Sequence, residues 1–251
     1  MLHFKSFLRG RLAPPVWQAL SDAKIEYRLS KVTTHISQDL RVELDRLIKN
    51  LPQEFEKDYF DIGAHDGRSV SNTFHLDHEL GWSGVLVEPI LHLHFASKKF
   101  RSQHRNTFVN AACVGPEYRQ PAIKLLYCNL MTIAPEISEN NAEEWVRGGE
   151  EFLHAGEQVT DVWAPARTAN SILIENEAPS RIGLLSIDVE GAEYEVLMGI
   201  DFNIFSFGII LMETADESPA NNILVRAGYK FHKQIGQNKL FLNHFFLREK
   251  V

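Results

Sequence analysis

The sequence predicts an α/β protein whose mostly parallel sheet is covered by helices on both faces. Three observations predict it. Short apolar runs of strand length alternate with stretches whose apolar residues recur at helical spacing. The first run passes into a glycine-rich turn, Asp61-Ile-Gly-Ala-His-Asp-Gly67. Two late runs, 229–235 and 239–243, face each other across Gly236-Gln237-Asn238, which reads as a hairpin that brings in one antiparallel strand.

Residues 1–21 hold Lys5, Arg9 and Arg11 and no acidic residue, with Leu2, Phe4, Phe7, Leu8 and Leu12 between them. They lack the continuous apolar stretch of a signal peptide. They read as a short helix packed on the main domain, ended by Pro14-Pro15. A basic amphipathic helix making peripheral membrane contact is the alternative. From Ser37 to Lys57, Leu40, Leu44, Leu47 and Ile48 recur at helical spacing. Residues 1–57 are therefore expected to form an N-terminal helical extension, and 58–251 the main domain. Strands are expected at 58–62, 84–88, 106–112, 122–128, 182–189 and 207–213, followed by the hairpin. Val70, Phe74 and Leu80 mark one intervening helix, with Ser69 and Ser71 as N-cap candidates. Leu93, Ala96 and Phe100 mark another.

Residues 129–181 break this rhythm. They are polar and acidic, contain Pro135, Gly148-Gly149, Pro165 and Pro179, and show only a short helix near Asn141–Val146. Ligands of open α/β sheets bind outside the carboxyl ends of the strands. A long insertion there is expected to act as a lid or acceptor-recognition segment.

The chain has 251 residues, 44% hydrophobic and 24% charged, with a formal net charge of -7. That balance excludes disorder and coiled coil, and no apolar stretch is long enough to cross a membrane. An acidic chain gains no general attraction to phosphate backbones, so nucleic acid is not the expected partner. The two cysteines, Cys113 and Cys128, lack zinc spacing and read as buried free thiols of a cytoplasmic protein.

The chemistry is legible in the first loop. The dinucleotide pattern Gly-x-Gly-x-x-Gly, begun at Gly63, would need glycines where His65 and Arg68 stand. Asp66 would repel a diphosphate and suits a cofactor carrying positive charge. S-adenosylmethionine has a sulfonium and an ammonium. Gly63 leaves room for it, and a branched side chain there is expected to fill cofactor volume. Glu88, at the end of the second strand, is placed to accept hydrogen bonds from ribose hydroxyls. Asn110 stands where a small polar residue can meet the adenine edge. These features favour a methyltransferase over an NAD-linked enzyme, and the presence of Asp61, Gly63, Glu88, Asp188 and Glu190 together favours it over a non-catalytic binding module of the same fold.

Tyr59-Phe-Asp-Ile-Gly-Ala-His-Asp-Gly67, Ser71-Asn-Thr73, Gly81-Trp-Ser-Gly84, Val87-Glu-Pro89 and Leu185-Ser-Ile-Asp-Val-Glu-Gly-Ala-Glu-Tyr-Glu-Val-Leu197 resemble the FkbM-type methyltransferases over about residues 58–247. The chain departs from that pattern at Ile90, where Asn often follows the Glu-Pro, and at His65, where Asn is frequent. The resemblance implies a class I Rossmann-like fold with a seven-stranded, mostly parallel sheet and a C-terminal antiparallel hairpin. It also implies S-adenosylmethionine bound around Asp61, Gly63, Ala64, Asp66, Gly67, Glu88, Asn110 and Asp188. The reaction it implies is O-methylation of a sugar, glycan or secondary metabolite. A hydroxyl acceptor must lose a proton. Asp188 and Glu190 are the candidate catalytic residues, Asp188 positioning cofactor and acceptor and Glu190 acting as base at the start of the next helix. Glu213 ends the following strand and can join them. Three converging carboxylates can also hold Mg²⁺, and the residues leave base and metal ligand open. Glu193 is expected to serve the helix dipole. His75 and His78, and His92 and His94, read as solvated faces. Lys98, Lys99, Arg101, His104 and Arg105 read as a basic helix C-terminus.

Overall fold

A computed structural model describes residues 36–154, 156–214 and 219–244. The expected helix at residues 1–21 lies outside the described residues. α1 (Gln38–Lys49) starts where the sequence places it, because the Ser37 hydroxyl accepts the Leu40 amide at its N-terminus. Leu40, Leu44 and Leu47 on one face of α1 are buried against the sheet. Each contributes about 1.5–3 kcal/mol by leaving water.

The main sheet has seven strands: β1 (Glu56–Ile62), β2 (Ser83–Val87), β3 (Asn106–Val109), β7 (Arg181–Ile187), β8 (Ser206–Glu213), β9 (Tyr229–Ile235) and β10 (Asn238–Asn243). Their spatial order is β3-β2-β1-β7-β8-β10-β9. β10 is antiparallel to both neighbours, and the remaining pairings are parallel. This is the Rossmann-like methyltransferase arrangement. Alternate residues of each strand enter opposite cores, as a period of two requires. Phe60, Ile62, Leu185, Ile187, Ile210 and Met212 pack on one face. Tyr59, Leu184, Ile209 and Leu211 pack on the other, under α1.

The helices after α1 are α2 (Phe74–His78), α3 (Leu91–Phe100), α4 (Ala142–Gly149), α5 (Ala169–Glu175), α6 (Glu193–Met198) and α7 (Ala220–Arg226). Those from α5 onward cover the first face through Ile172, Leu173, Val196, Leu197 and Leu224.

Several expectations are corrected. Ser69 and Ser71 cap no helix: the chain makes turns from Gly67 to Thr73, and α2 is only five residues long. The run 106–112 splits into β3 and the two-residue β4 (Ala112–Cys113). β5 (Ala122–Tyr127) is not in the main sheet. With β4 and β6 (Thr160–Arg167) it makes a second sheet, in the order β4-β6-β5. Thus the insertion contributes a strand and a helix, β6 and α5, that its sequence did not suggest. β5 and β6 pair antiparallel over six residues. The apolar residues of this small sheet close a third core with Ile90 and Leu93.

Candidate active site

β1 and β7 lie side by side, and the chain departs from them in opposite directions along the sheet. Their carboxyl ends therefore open a crevice at the topological switch point. A cleft of about 950 Å³, mouth included, lies there. Its lining includes Asp61, Gly63, Ala64, His65, Glu88, Asp188 and Glu190, with Leu93, Cys113 and Leu125 supplying apolar wall. Asn129, Leu130, Thr132, Ala134 and Ile137 bring the insertion to the same cleft. Of five non-glycine residues with positive φ among those described, His65, Val70, Asn129 and Glu190 line it. Such strain persists only where the surroundings over-determine it, and it clusters at functional sites.

The first loop leaves β1 in a left-handed turn at Gly63, φ 83°. The Gly63 and Ala64 amides donate to the Val87 carbonyl at 3.0 and 3.1 Å. A Cβ on Gly63 would lie 1.8 Å from the Asp188 carbonyl oxygen. The residue thus answers to the backbone of the neighbouring strand rather than to cofactor volume, which corrects the reason the sequence suggested. Gly63→Ala is expected to cost more than about 3 kcal/mol, from the clash and the positive φ together. Chemical denaturation would measure it, and a loss under about 1 kcal/mol would show that the two strand ends can separate freely.

Glu88 sits at the end of β2 and is buried. Its Oε2 accepts the His65 amide and its Oε1 the Ile90 amide, both at 2.8 Å. Burial pushes its carboxyl up to about 7, against the opposing effect of His65. Asp188 follows β7. Burial first, then the charges of Glu213, Glu193 and Asp61, push it up to about 8. Glu190, at φ 56°, is pushed up to about 9 by burial and then by Asp188, Glu213 and Glu193, while the Trp145 indole of α4 favours its charged form. It lies in the loop before α6 and not in the helix, which corrects that expectation. Glu193 opens α6 and accepts the Gly191 and Val189 amides at 3.2 and 3.4 Å.

The insertion clasps this loop. Ser138 donates its hydroxyl to the Glu190 carbonyl at 3.0 Å, and the Glu139 amide donates to the Gly191 carbonyl at 2.8 Å. Among the described residues, no group of three or more His, Cys, Asp or Glu side chains converges as a metal site would.

The sequence profile of the methyltransferase FkbM domain matches residues 61–234, more than half of the chain. The chain belongs to that family. No curated protein matches it. A solved structure similar to it is the precorrin-6y C5,15-methyltransferase from Geobacter metallireducens GS-15, at 14% identity and a TM-score of 0.39. That match covers 84% of this chain and 92% of the other.

Within this FkbM domain the sequence-predicted residues divide. Asp61, Gly63, Ala64, Glu88, Asp188 and Glu190 line the cleft. Asp66, Gly67 and Asn110 are not part of that lining. Asp66 turns inward with no exposure and accepts the Arg68 and Ser69 amides and the Ser69 hydroxyl. Asn110 donates its amide to the Glu88 and Pro89 carbonyls at 2.9 and 2.8 Å, bracing the end of β2.

Arg101 was missed as a structural centre. It is buried, and all five of its N–H groups are used. They reach the Gly67 carbonyl, the Tyr59 hydroxyl, the Thr73 carbonyl and the Ser71 and Thr73 hydroxyls. Its guanidinium lies 3.7 Å from Asp61, which also accepts the Thr73 hydroxyl. The basic cluster around it in sequence gave no sign of this. Nor are His75 and His94 solvated: both are buried, and burial pushes His75 down to about 4.

The FkbM cleft also makes a pH prediction. The ordinary pKa of Asp188 is 3.8 and its folded value is about 8. The folded state holds that proton more tightly, so its contribution is complete below the ordinary value and lost as pH rises through the folded one. Asp188→Asn carries no proton to lose. It is expected to melt higher than wild type at pH 8.5, by about 2–4 °C for each kcal/mol relieved, with the difference shrinking as pH falls and vanishing only below the ordinary value of 3.8. A variant that melts lower than wild type at pH 8.5 would refute this.

Proposed function

We propose that this FkbM methyltransferase is an S-adenosylmethionine-dependent O-methyltransferase acting on a hydroxyl of a sugar, glycan or secondary metabolite. One observation carries the cofactor reading. The cleft gathers four carboxylates, Asp61, Glu88, Asp188 and Glu190, and no lysine or arginine among its described lining residues. Burial holds Glu88, Asp188 and Glu190 well above the ordinary range, and repulsion from neighbouring carboxylates adds to it at Asp188 and Glu190. The complement of such a site is a ligand with positive charge. The phosphates of NAD would add to the repulsion.

When bound, S-adenosylmethionine supplies a methyl group on a positively charged sulfur, open to displacement. The chain then has three tasks. Glu88 accepts the ribose hydroxyls on the oxygen lone pairs left by its two backbone donors. Asp188 stabilises positive charge at the carboxyl end of β7 and orients the acceptor. Glu190 takes the acceptor's hydroxyl proton once bound positive charge has lowered its raised proton affinity toward neutral pH. Ile137 lines the cleft, and Ser138, Glu139 and Trp145 meet the Glu190 loop, so this part of the insertion is the natural acceptor wall. Cys113 and Cys128 are buried and unpaired, which supports a reducing, cytoplasmic setting.

Calorimetric titration tests the reading. S-adenosylmethionine and S-adenosylhomocysteine should bind and NAD should not. Glu88→Ala is expected to weaken S-adenosylmethionine by about 1–3 kcal/mol, the scale of a hydrogen bond to a charged group. Equal binding of the natural cofactor and a deoxyribose analogue by wild type would remove Glu88 from the ribose. Binding of NAD alone would overturn the cofactor.

A further inference from the structure

His65 lines the cleft and is the one side chain in its described lining able to carry positive charge. A chain of contacts fixes its protonation. Glu157 accepts the His154 amide at 2.8 Å, the Tyr127 hydroxyl at 3.3 Å and the Asn129 side-chain amide at 3.1 Å. Its Oε2 takes the His154 backbone N–H, and against burial these hydrogen bonds hold its pKa below the ordinary value, so it is a carboxylate. Asn129 must then turn its NH₂ toward Glu157 and its carbonyl oxygen toward His65. That oxygen lies 3.3 Å from His65 Nε2, which must therefore be N–H. Nδ1 is buried without a hydrogen-bond partner and faces the Asp66 carboxylate at 3.7 Å. A lone pair on Nδ1 would oppose that carboxylate, whereas a proton there completes an ion pair.

We propose that the chain Asp66–His65–Asn129–Glu157 holds His65 as an imidazolium, and that this charge keeps Glu88 ionised for binding the cofactor's ribose. His65 is thus a positioning residue that makes cofactor recognition depend on the insertion. The cofactor half of this proposal rests on the function proposed above; the charge on the ring does not. The backbone already joins the partners, since the His65 amide donates to Glu88 Oε2.

The ionisable groups around the ring come from every side. Asp66 faces it from its own loop, Glu88 from β2, Asp188 from β7, His92 from α3 and Glu157, through Asn129, from the insertion. Burial opposes the charge on His65, yet Asp66, Glu88 and Asn129 hold its pKa above the ordinary value. Asp66 is held at about 2 despite its burial, through His65 and Ser69.

Two measurements test this. In the first, nuclear magnetic resonance follows the His65 ring and the Glu88 carboxyl of the free enzyme as pH is varied. The wild-type ring should titrate above 6.5 and Asn129→Ala should lower it. His65→Asn should raise the Glu88 midpoint by about one pH unit. Asparagine tolerates positive φ, so this variant keeps the loop. An unchanged Glu88 midpoint, or a wild-type ring titrating below 6.5, overturns the proposal. In the second, His65→Asn should bind S-adenosylmethionine about ten-fold more weakly than wild type at pH 6.5, with the two converging by pH 9. A constant ratio across that range overturns the link to Glu88. If wild type binds no S-adenosylmethionine, the proposed function fails, and the first measurement alone decides the charge on His65.

Discussion

Glu190→Gln is expected to lower turnover by about 10²–10⁴-fold, the usual weight of a general base. S-adenosylhomocysteine should bind it within about three-fold of wild type, since the amide keeps the shape and loses only the ability to take a proton. Glu190 stands at positive φ on the loop after β7, clasped by Ser138 and Glu139 of the insertion and open in part to the cleft. Its high proton affinity arises from burial and from the neighbouring carboxylates of Asp188, Glu213 and Glu193. Positive charge placed beside Asp188 lowers that affinity and leaves the base ready when the cleft is loaded. The check is single-turnover kinetics on a hydroxylated acceptor that wild type methylates, run beside Asp188→Asn. Near-wild-type rates for both variants would remove the catalytic assignment and leave the cofactor site standing.

Arg101→Met is expected to cost about 3–5 kcal/mol, the range for breaking a buried ion pair from one side. The loss leaves the Asp61 carboxylate buried without its cation. It also strips donors from the Gly67 and Thr73 carbonyls and from the hydroxyls of Tyr59, Ser71 and Thr73. Arg101→Lys should recover little, because an ammonium has three donors on one point and cannot replace a planar fork with five. Urea unfolding measures both. A cost under about 1 kcal/mol for Arg101→Met would mean that the loop holds its shape without the guanidinium. Because Asp61 and Ser71 also line the cleft, weakened cofactor binding should accompany the loss of stability.

Strand and loop identities were legible because their causes are local. The runs at 58–62, 84–88, 182–189 and 207–213 are mostly buried, and a central parallel strand advertises that by a short stretch in which apolar residues predominate. Gly63 and Glu88 were legible because a tight turn and an acidic strand end announce themselves within a few residues. Even there the reason could differ: Gly63 reads as room for a ligand, and the structure makes it room for the Asp188 carbonyl. Glu190 reads as the start of a helix, yet the carboxylate of Glu193 takes the Gly191 amide and delays α6 by three residues.

The sequence by itself therefore determined the alternation of elements, the family and the carboxylates at the strand ends, since each rests on spacing within one segment. Only the tertiary structure decided what pairs across long separations. β5 left the main sheet because β6, some forty residues later, offers it an antiparallel partner and a core closed by Ile90 and Leu93. Arg101 became the centre of the first loop because five acceptors, 28 to 42 residues away, converge on it. In sequence a buried guanidinium is indistinguishable from a solvated one, for what makes its burial tolerable is the set of partners the fold brings to it. His65 is the same case. A lone histidine in a glycine-rich loop says nothing of its charge, which is fixed by Asp66 beside it and by Asn129 and Glu157, brought to it from the insertion.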